Sequence, residues 1–167
     1  MDNRIRFGNP IEPIIPMDEL PSTGLITAGD QNGFINSSFR VYLVESVLEK
    51  IWEHVHSSPR IECGGVIVGH PFRTFDGGTT YVVVTGFIPQ TKANQGIAHF
   101  TVGPDEVSFT RELLSENYPG LVAVGWYHSH PGHGVFLSGQ DMTIVRSIYN
   151  LEWHLAIVLD PSTNKYG

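Results

Sequence analysis

The sequence predicts an α/β domain built as a central mixed β-sheet flanked by helices. Three observations lead there. Short runs rich in β-branched and aromatic residues, at 81–88 and 121–127, have the length and composition of strands. Between and beside them lie amphipathic stretches with apolar residues at helical spacing. The two kinds alternate irregularly, so the sheet they form has both parallel and antiparallel neighbours.

Residues 1–36 differ from the rest. Pro10, Pro13, Pro16 and Pro21, followed by Gly24, Gly29 and Gly33, remove backbone donors and fix or free φ. They read as an irregular arm that lies on the domain or reaches a partner, ahead of a catalytic-sized unit at 37–167. A short strand is expected at 39–43. A helix follows at 44–56, with Val44, Val47, Leu48, Ile51 and Val55 as its apolar stripe, stopped at Ser57-Ser58-Pro59. Val66-Ile67-Val68 forms a buried strand bounded by Gly64-Gly65 and Gly69. Asp76-Gly77-Gly78 turns the chain into the strand at 81–88. The segment 89–98 is polar and loop-like, and 99–102 is strand-like.

Pro104 opens a second helix where proline is tolerated, with Asp105 and Glu106 at its positive end, running to about Asn117. The strand at 121–127 leads into a Gly/Pro loop at 131–137. Ser138 caps a third helix reaching about Tyr149. A last strand at 153–159 closes at Asp160-Pro161.

The 167-residue chain carries a net charge of −7, which disfavours nucleic acid and anionic membrane surfaces as partners. Cys63 is the only cysteine, so no intrachain disulfide forms, as in a reducing compartment. Residues 1–16 hold no long apolar run and include Asp2 and Glu12, unlike a secretory signal. No apolar stretch approaches the roughly 20 residues of a membrane helix. The expected location is cytoplasmic.

The chemistry concentrates in Trp126-Tyr127-His128-Ser129-His130-Pro131 and Ser138-Gly139-Gln140-Asp141. At a strand end His128 and His130 point to one side, so two imidazoles can share a metal. Asp141, on the first turn of the next helix, can add a carboxylate. Two histidines and a carboxylate leave a tetrahedral zinc one open position, the catalytic arrangement. A proton carrier beside the metal is still required. Glu62, at the mouth of the strand that begins Cys63-Gly64-Gly65, is the candidate. Ser138, three residues before Asp141, can donate to a developing oxyanion as well as cap the helix.

Other readings of these groups are plainer. His133 is a polar loop residue or a substrate contact, and His99 a strand histidine or part of a substrate channel. His54, His56, His70 and His154 have no partner pattern and read as structural or solvated. Cys63 reads as a small buried hydrophobe, since no histidine is placed against it. Trp126 and Tyr127 are expected to pack under the site, and Trp52 and Trp153 to join the core.

The spaced set resembles the JAMM (MPN-plus) metalloprotease signature. It comprises a glutamate in a Glu-x-Gly-Gly-x-x-x-Gly segment (Glu62, Gly64, Gly65, Gly69) and His-Ser-His-Pro at 128–131. Seven residues then separate His130 from Ser138, and two more separate Ser138 from Asp141. The resemblance spans about residues 39–161. It implies a sheet flanked by helices of cytidine-deaminase-like architecture, one Zn2+ on His128, His130 and Asp141, Glu62 as acid/base and Ser138 as oxyanion stabiliser. It also implies cleavage after the C-terminal glycine of a ubiquitin-like protein, by deconjugation or precursor processing.

The segment 89–102 is short beside those of specialised deubiquitinases, and no long insertion follows Asp141, so linkage selectivity is not expected. The compact form is similar to bacterial members that accompany E1-like and E2-like enzymes. Relatives often continue past the point reached by Lys165-Tyr166-Gly167, which suggests a C-terminal truncation. Three further readings stay open: a zinc peptidase acting on small peptides or amino-acid conjugates, a non-catalytic docking module, and a RadC-like relative, the last disfavoured by the acidic balance. Residues that contact substrate are not assigned.

Overall fold

The protein is described from a computed structural model, for residues 25–27, 39–73, 80–90 and 104–167. Ten elements follow in order: β1 (Leu25–Thr27), β2 (Phe39–Val44), α1 (Glu45–Ser57), β3 (Gly64–Arg73), β4 (Thr80–Pro89), α2 (Pro104–Asn117), β5 (Val122–Ser129), α3 (Gly139–Ser147), β6 (Leu155–Asp160) and β7 (Lys165–Tyr166). The strands form one seven-stranded sheet in the order β1-β2-β4-β3-β5-β6-β7. Its β2–β4 and β5–β6 pairs are parallel and the others antiparallel, so the sheet is mixed as expected.

Each face has its own core. On one, the apolar stripe of α1 (Val47, Leu48, Ile51, Val55) packs with Ile67, Val82, Val84 and Tyr127. Each such side chain contributes roughly 1.5–3 kcal/mol when fully buried. On the other face, Val66, Val68, Ile88, Ala123 and Trp126 meet Leu113 and Leu114 of α2 and Ile144 and Ile148 at α3. A helix thus covers each side of the central strands.

β3 is longer than the sequence suggests, running through Gly69 as far as Arg73. Pro71 is accommodated because pairing with β5 ends at Gly69↔Val122, leaving Pro71 only β4 as a neighbour. Two bulges flank Val68. Thr85 is the extra residue on β4 and Val124 the extra residue on β5. Three residues of the segment read as irregular, Leu25–Thr27, add an antiparallel edge strand to β2. The short β7 was not anticipated. α3 ends two residues before the expected Tyr149, and β6 starts two residues after Trp153. The expected turn at Asp76-Gly77-Gly78, the loop at 91–98 and the strand at 99–102 lie outside the described residues.

Gly65 is required by close packing. A Cβ there would lie 2.3 Å from the carbonyl oxygen of Ile88 and 2.7 Å from the ring of Tyr127. Relief would need movement of β4 backbone. Gly65→Ala is therefore expected to lower stability by roughly 1–3 kcal/mol or more. Urea unfolding checks this, and an unchanged midpoint would show that the sheet gives way freely.

Candidate metal centre

His128 is the next-to-last residue of β5, and His130 follows the strand end. His128 stacks on Trp126 two residues back, with ring centroids 4.3 Å apart and planes 7° apart. The backbone N–H of His130 donates to the carbonyl of Leu159 at 2.8 Å, which carries the chain across to β6. Asp141 stands in the first turn of α3, and the turn is fixed by a reciprocal cap. Asp141 N–H donates to Ser138 Oγ at 3.2 Å, and Ser138 N–H donates to Asp141 Oδ2 at 2.6 Å.

The structure brings the three expected ligands together. The Nε2 atoms of His128 and His130 are 3.0 Å apart, and they lie 3.4 and 3.6 Å from Asp141 Oδ1 and Oδ2 respectively. One donor atom from each falls within 4.8 Å of the others, and all three residues are buried. Burial pushes the His128 imidazole down to about 4, against the opposing pull of Asp141, so it is a neutral donor at ordinary pH. Burial alone would raise the Asp141 carboxyl. Hydrogen bonds from the Ser138 hydroxyl and the Ser138 backbone N–H, with the nearby imidazoles, outweigh that and hold it below the usual carboxylate range.

A buried carboxylate facing two imidazole nitrogens is costly without a cation among them. The set fits a divalent metal: two borderline nitrogens and one oxygen, net charge −1, suit zinc.

Glu62 approaches from the start of β3. Gly64 pairs with His128, and Ser129 N–H donates to the Cys63 carbonyl at 2.8 Å. A ladder continued past Gly64 would set Glu62 beside His130, on the face that carries His128. Ser129 reinforces this join. Its buried hydroxyl accepts the Cys63 N–H at 3.0 Å. The role of Ser129 was not foreseen, although its place between the two histidines was a signal. Cys63 is half-buried and its thiol is pushed up by burial, opposed by the Ser129 contact, which does not favour a nucleophile.

Of the other histidines, His54 is half-buried and bonded through Nδ1 to the Tyr127 hydroxyl at 2.8 Å. His56 meets Asn164 at 3.1 Å, and His154 accepts the Leu151 N–H at 3.2 Å. His133 is an exposed loop residue, and His99 lies outside the described residues. Trp126 packs directly against a ligand, whereas Tyr127 faces the opposite core.

A second residue missed in the sequence is Asp160, at the end of β6. Its carboxylate accepts the N–H groups of Gly132, Gly134 and Ser162 at 2.9, 3.2 and 2.9 Å and the Thr163 hydroxyl at 3.1 Å. Gly132 and Gly134 have φ of +77° and +88°, the left-handed region open to glycine, which aims their N–H groups at one anion. Asp160 thereby pins the loop joining His130 to Ser138.

These bonds, the one from Gly132 foremost, hold its carboxyl below the usual range. A depressed folded value means stability that is present above the unfolded pKa and is lost as pH falls through the folded one. Asp160→Asn is expected to cost on the order of 2 kcal/mol at pH 7, the worth of lost charge-assisted bonds. The gap should narrow as pH drops below about 4. Urea melts at pH 7 and pH 3 test this, and a gap independent of pH would remove the charge from the account.

Comparison with known proteins agrees with this geometry. Residues 44–165 match the family described as prokaryotic homologs of the JAB domain. The NAD(+) hydrolase TcpA of Theionarchaea archaeon (strain DG-70-1) is 33% identical over 121 residues, covering 72% of this chain and 33% of that protein. The 26S proteasome non-ATPase regulatory subunit 14 of Drosophila melanogaster is 28% identical over 168 residues, 100% of this chain and 49% of its own length. The COP9 signalosome complex subunit 5 of Candida albicans (strain SC5314 / ATCC MYA-2876) is 32% identical over 139 residues, 80% of this chain and 22% of its own length.

The chain spans at most about half the length of these relatives. In fold it is similar to the solution structure of protein DSY2949 from Desulfitobacterium hafniense. The TM-score is 0.55 at 21% identity, covering 75% of this chain and 78% of that one. Among the described residues no helix is long and apolar enough to cross a membrane. By its matched length, its sheet order and its buried His-His-Asp group, the chain belongs to the JAMM/MPN family, among the prokaryotic homologues of the JAB domain.

Proposed function

We propose that this domain is a zinc-dependent isopeptidase that cleaves after the C-terminal glycine of a ubiquitin-like protein, within a bacterial conjugation system that includes E1-like and E2-like enzymes. The observation that carries the reading is the convergence of three buried donor atoms, from His128, His130 and Asp141, with Glu62 two residues before the Gly64 that pairs with His128. His128, His130 and Asp141 would hold zinc, which when bound supplies Lewis-acid polarisation of the scissile carbonyl and makes the attacking water easier to ionise. The Glu62 carboxylate takes the water proton and returns it to the departing lysine amine. The Ser138 hydroxyl, which also meets the Asp141 carboxylate, would turn its proton to the developing oxyanion.

The surroundings favour a macromolecular substrate. The large apolar side chains that stand exposed among the described residues are Ile61, Phe136 and Leu137. Ile61 precedes Glu62, while Phe136 and Leu137 precede Ser138, so they flank the centre from both sides. Phe136 also lies 4.9 Å from the His130 ring. Apolar groups gathered around a site suit a protein surface with an extended tail. Such a tail would end in glycine, whose missing side chain lets its carbonyl approach the metal closely beside Phe136.

The test compares zinc-loaded protein on two ubiquitin-like fusions, one ending Gly-Gly and one with leucine as the penultimate residue. The leucine tail is expected to be slower on the order of 100-fold, the loss typical of a misplaced reacting group. Equal rates, or faster cleavage of a free dipeptide than of either fusion, would favour the reading as a small-peptide peptidase.

A further inference from the structure

β3 begins at Gly64, so Glu62 stands two residues ahead of the ladder. Upstream, the Ile61 N–H donates to the Ser58 carbonyl at 3.1 Å and closes the turn that follows α1. Downstream, the Gly64 carbonyl accepts the Gln90 N–H at 3.0 Å. Between these holds, both backbone groups of Cys63 go to Ser129. The Cys63 carbonyl accepts the Ser129 N–H at 2.8 Å, and the Cys63 N–H donates to the Ser129 hydroxyl oxygen at 3.0 Å.

The second of these bonds is not the one a regular sheet makes. Residues that form a hydrogen-bonded pair in an antiparallel ladder exchange two bonds, each from N–H to backbone carbonyl. At Cys63 and Ser129 the first is made in that way, and the second runs to a side chain. Any amino acid supplies a backbone carbonyl, whereas this bond depends on the serine. Ser129 is 0% exposed, and its hydroxyl also lies 3.6 Å from the Cys63 thiol. A hydroxyl buried to that degree is out of place unless it is bonded. The N–H it holds belongs to the peptide group that joins Glu62 to Cys63. That group is planar and includes the Glu62 Cα, so holding the N–H holds the root of the Glu62 side chain.

We infer that Ser129 is a positioning residue that fixes the Glu62 carboxylate relative to the metal ligands, an inference that rests on the isopeptidase reading. Ser129 lies between His128 and His130, so the oxygen that anchors the backbone of Glu62 belongs to the same short segment as two of the ligands. The base and the ligands are thereby tied into one body. A general base must come within about 2.6–3.2 Å of the proton it takes. A displacement of about 1 Å can cost on the order of 100-fold in rate.

The experiment is a double-mutant cycle on the zinc-loaded full chain, with a Gly-Gly ubiquitin-like fusion as substrate. Its members are the parent, Ser129→Ala, Glu62→Gln and the double variant, each checked for zinc content and thermal melting. Ser129→Ala is expected to keep its zinc and a cooperative melt, and to lose on the order of 10- to 100-fold in kcat with KM unchanged. In the Glu62→Gln background the same change should cost nothing further, because the group it positions no longer carries a proton. Ser129→Thr keeps the hydroxyl and should run close to the parent rate. Losses that multiply across the cycle, or a Ser129→Ala protein as fast as the parent, would overturn the inference and leave the isopeptidase reading in place. So would a Ser129→Ala protein that loses its zinc or its cooperative melt, or a threonine variant that holds zinc yet is as slow as alanine. A parent protein that leaves the fusion uncut overturns the isopeptidase reading itself, and the inference with it.

Discussion

Replacing His128 or Asp141 by alanine is expected to strip most of the zinc from the purified protein and to lower turnover on the order of a thousandfold or more. Among the described residues each offers one of the three converging donor atoms, and each is buried. A metal contributes several kcal/mol of charge stabilisation in reactions of this class, which sets the scale of the loss. The two variants should differ in stability. His128→Ala leaves the sheet hydrogen bonds untouched, whereas Asp141→Ala also removes half of the reciprocal cap on α3, worth about 1 kcal/mol. Asp141→Asn separates the two roles, because an amide oxygen can still accept the Ser138 N–H. Metal analysis beside thermal melting decides the matter. A variant that holds a full equivalent of zinc would remove that residue from the ligand set.

Glu62→Gln should do the opposite: keep zinc and fold, yet lose activity by about 10²–10⁴-fold, the usual contribution of a general acid–base group. Continued past Gly64↔His128, the register would set Glu62 beside His130, while the cluster of His128, His130 and Asp141 closes without it. The amide preserves shape and removes the site for a proton. Zinc content equal to that of the parent with a collapsed kcat supports the assignment. Loss of zinc would make Glu62 a ligand, and full activity would make it a bystander.

The centre was legible in the sequence because its parts are short-range. His128 and His130 share a face by strand alternation, and Asp141 sits where Ser138 starts a helix. The helix and strand cores were legible for a similar reason. Val47, Leu48, Ile51 and Val55 announce α1 by their spacing, and the four core residues are buried as that spacing requires. What escaped depends on partners far along the chain. Asp160 read as the end of a strand, since nothing local connects it with the N–H groups of Gly132 and Gly134. β3 read as shorter because Pro71 is a strand breaker unless the neighbour on one side has already ended. Strands of two or three residues, such as β7 and β1, carry no period to detect.

The bulge at Val124 has a consequence for how this fold tolerates change in length. Val124 is the surplus residue of β5 opposite Ile67 and Val68, and its side chain is buried against the α1 side. Ala123 and Trp126 therefore lie on the same face although three residues apart, and Trp126 hands that face on to His128. The bulge is therefore a spare place in the count. Losing Val124 would leave Ala123, Gly125 and Trp126 opposite Val68, Ile67 and Val66 in a regular ladder, with every later side chain on the face it already holds. Both imidazoles would still face Asp141. The regular stretch beyond has no such reserve: losing Tyr127, with the pairing at Trp126 kept, would turn His128 and His130 towards α1. The chemistry is encoded in the parity of the strand, and the bulge is the one place where that parity can give.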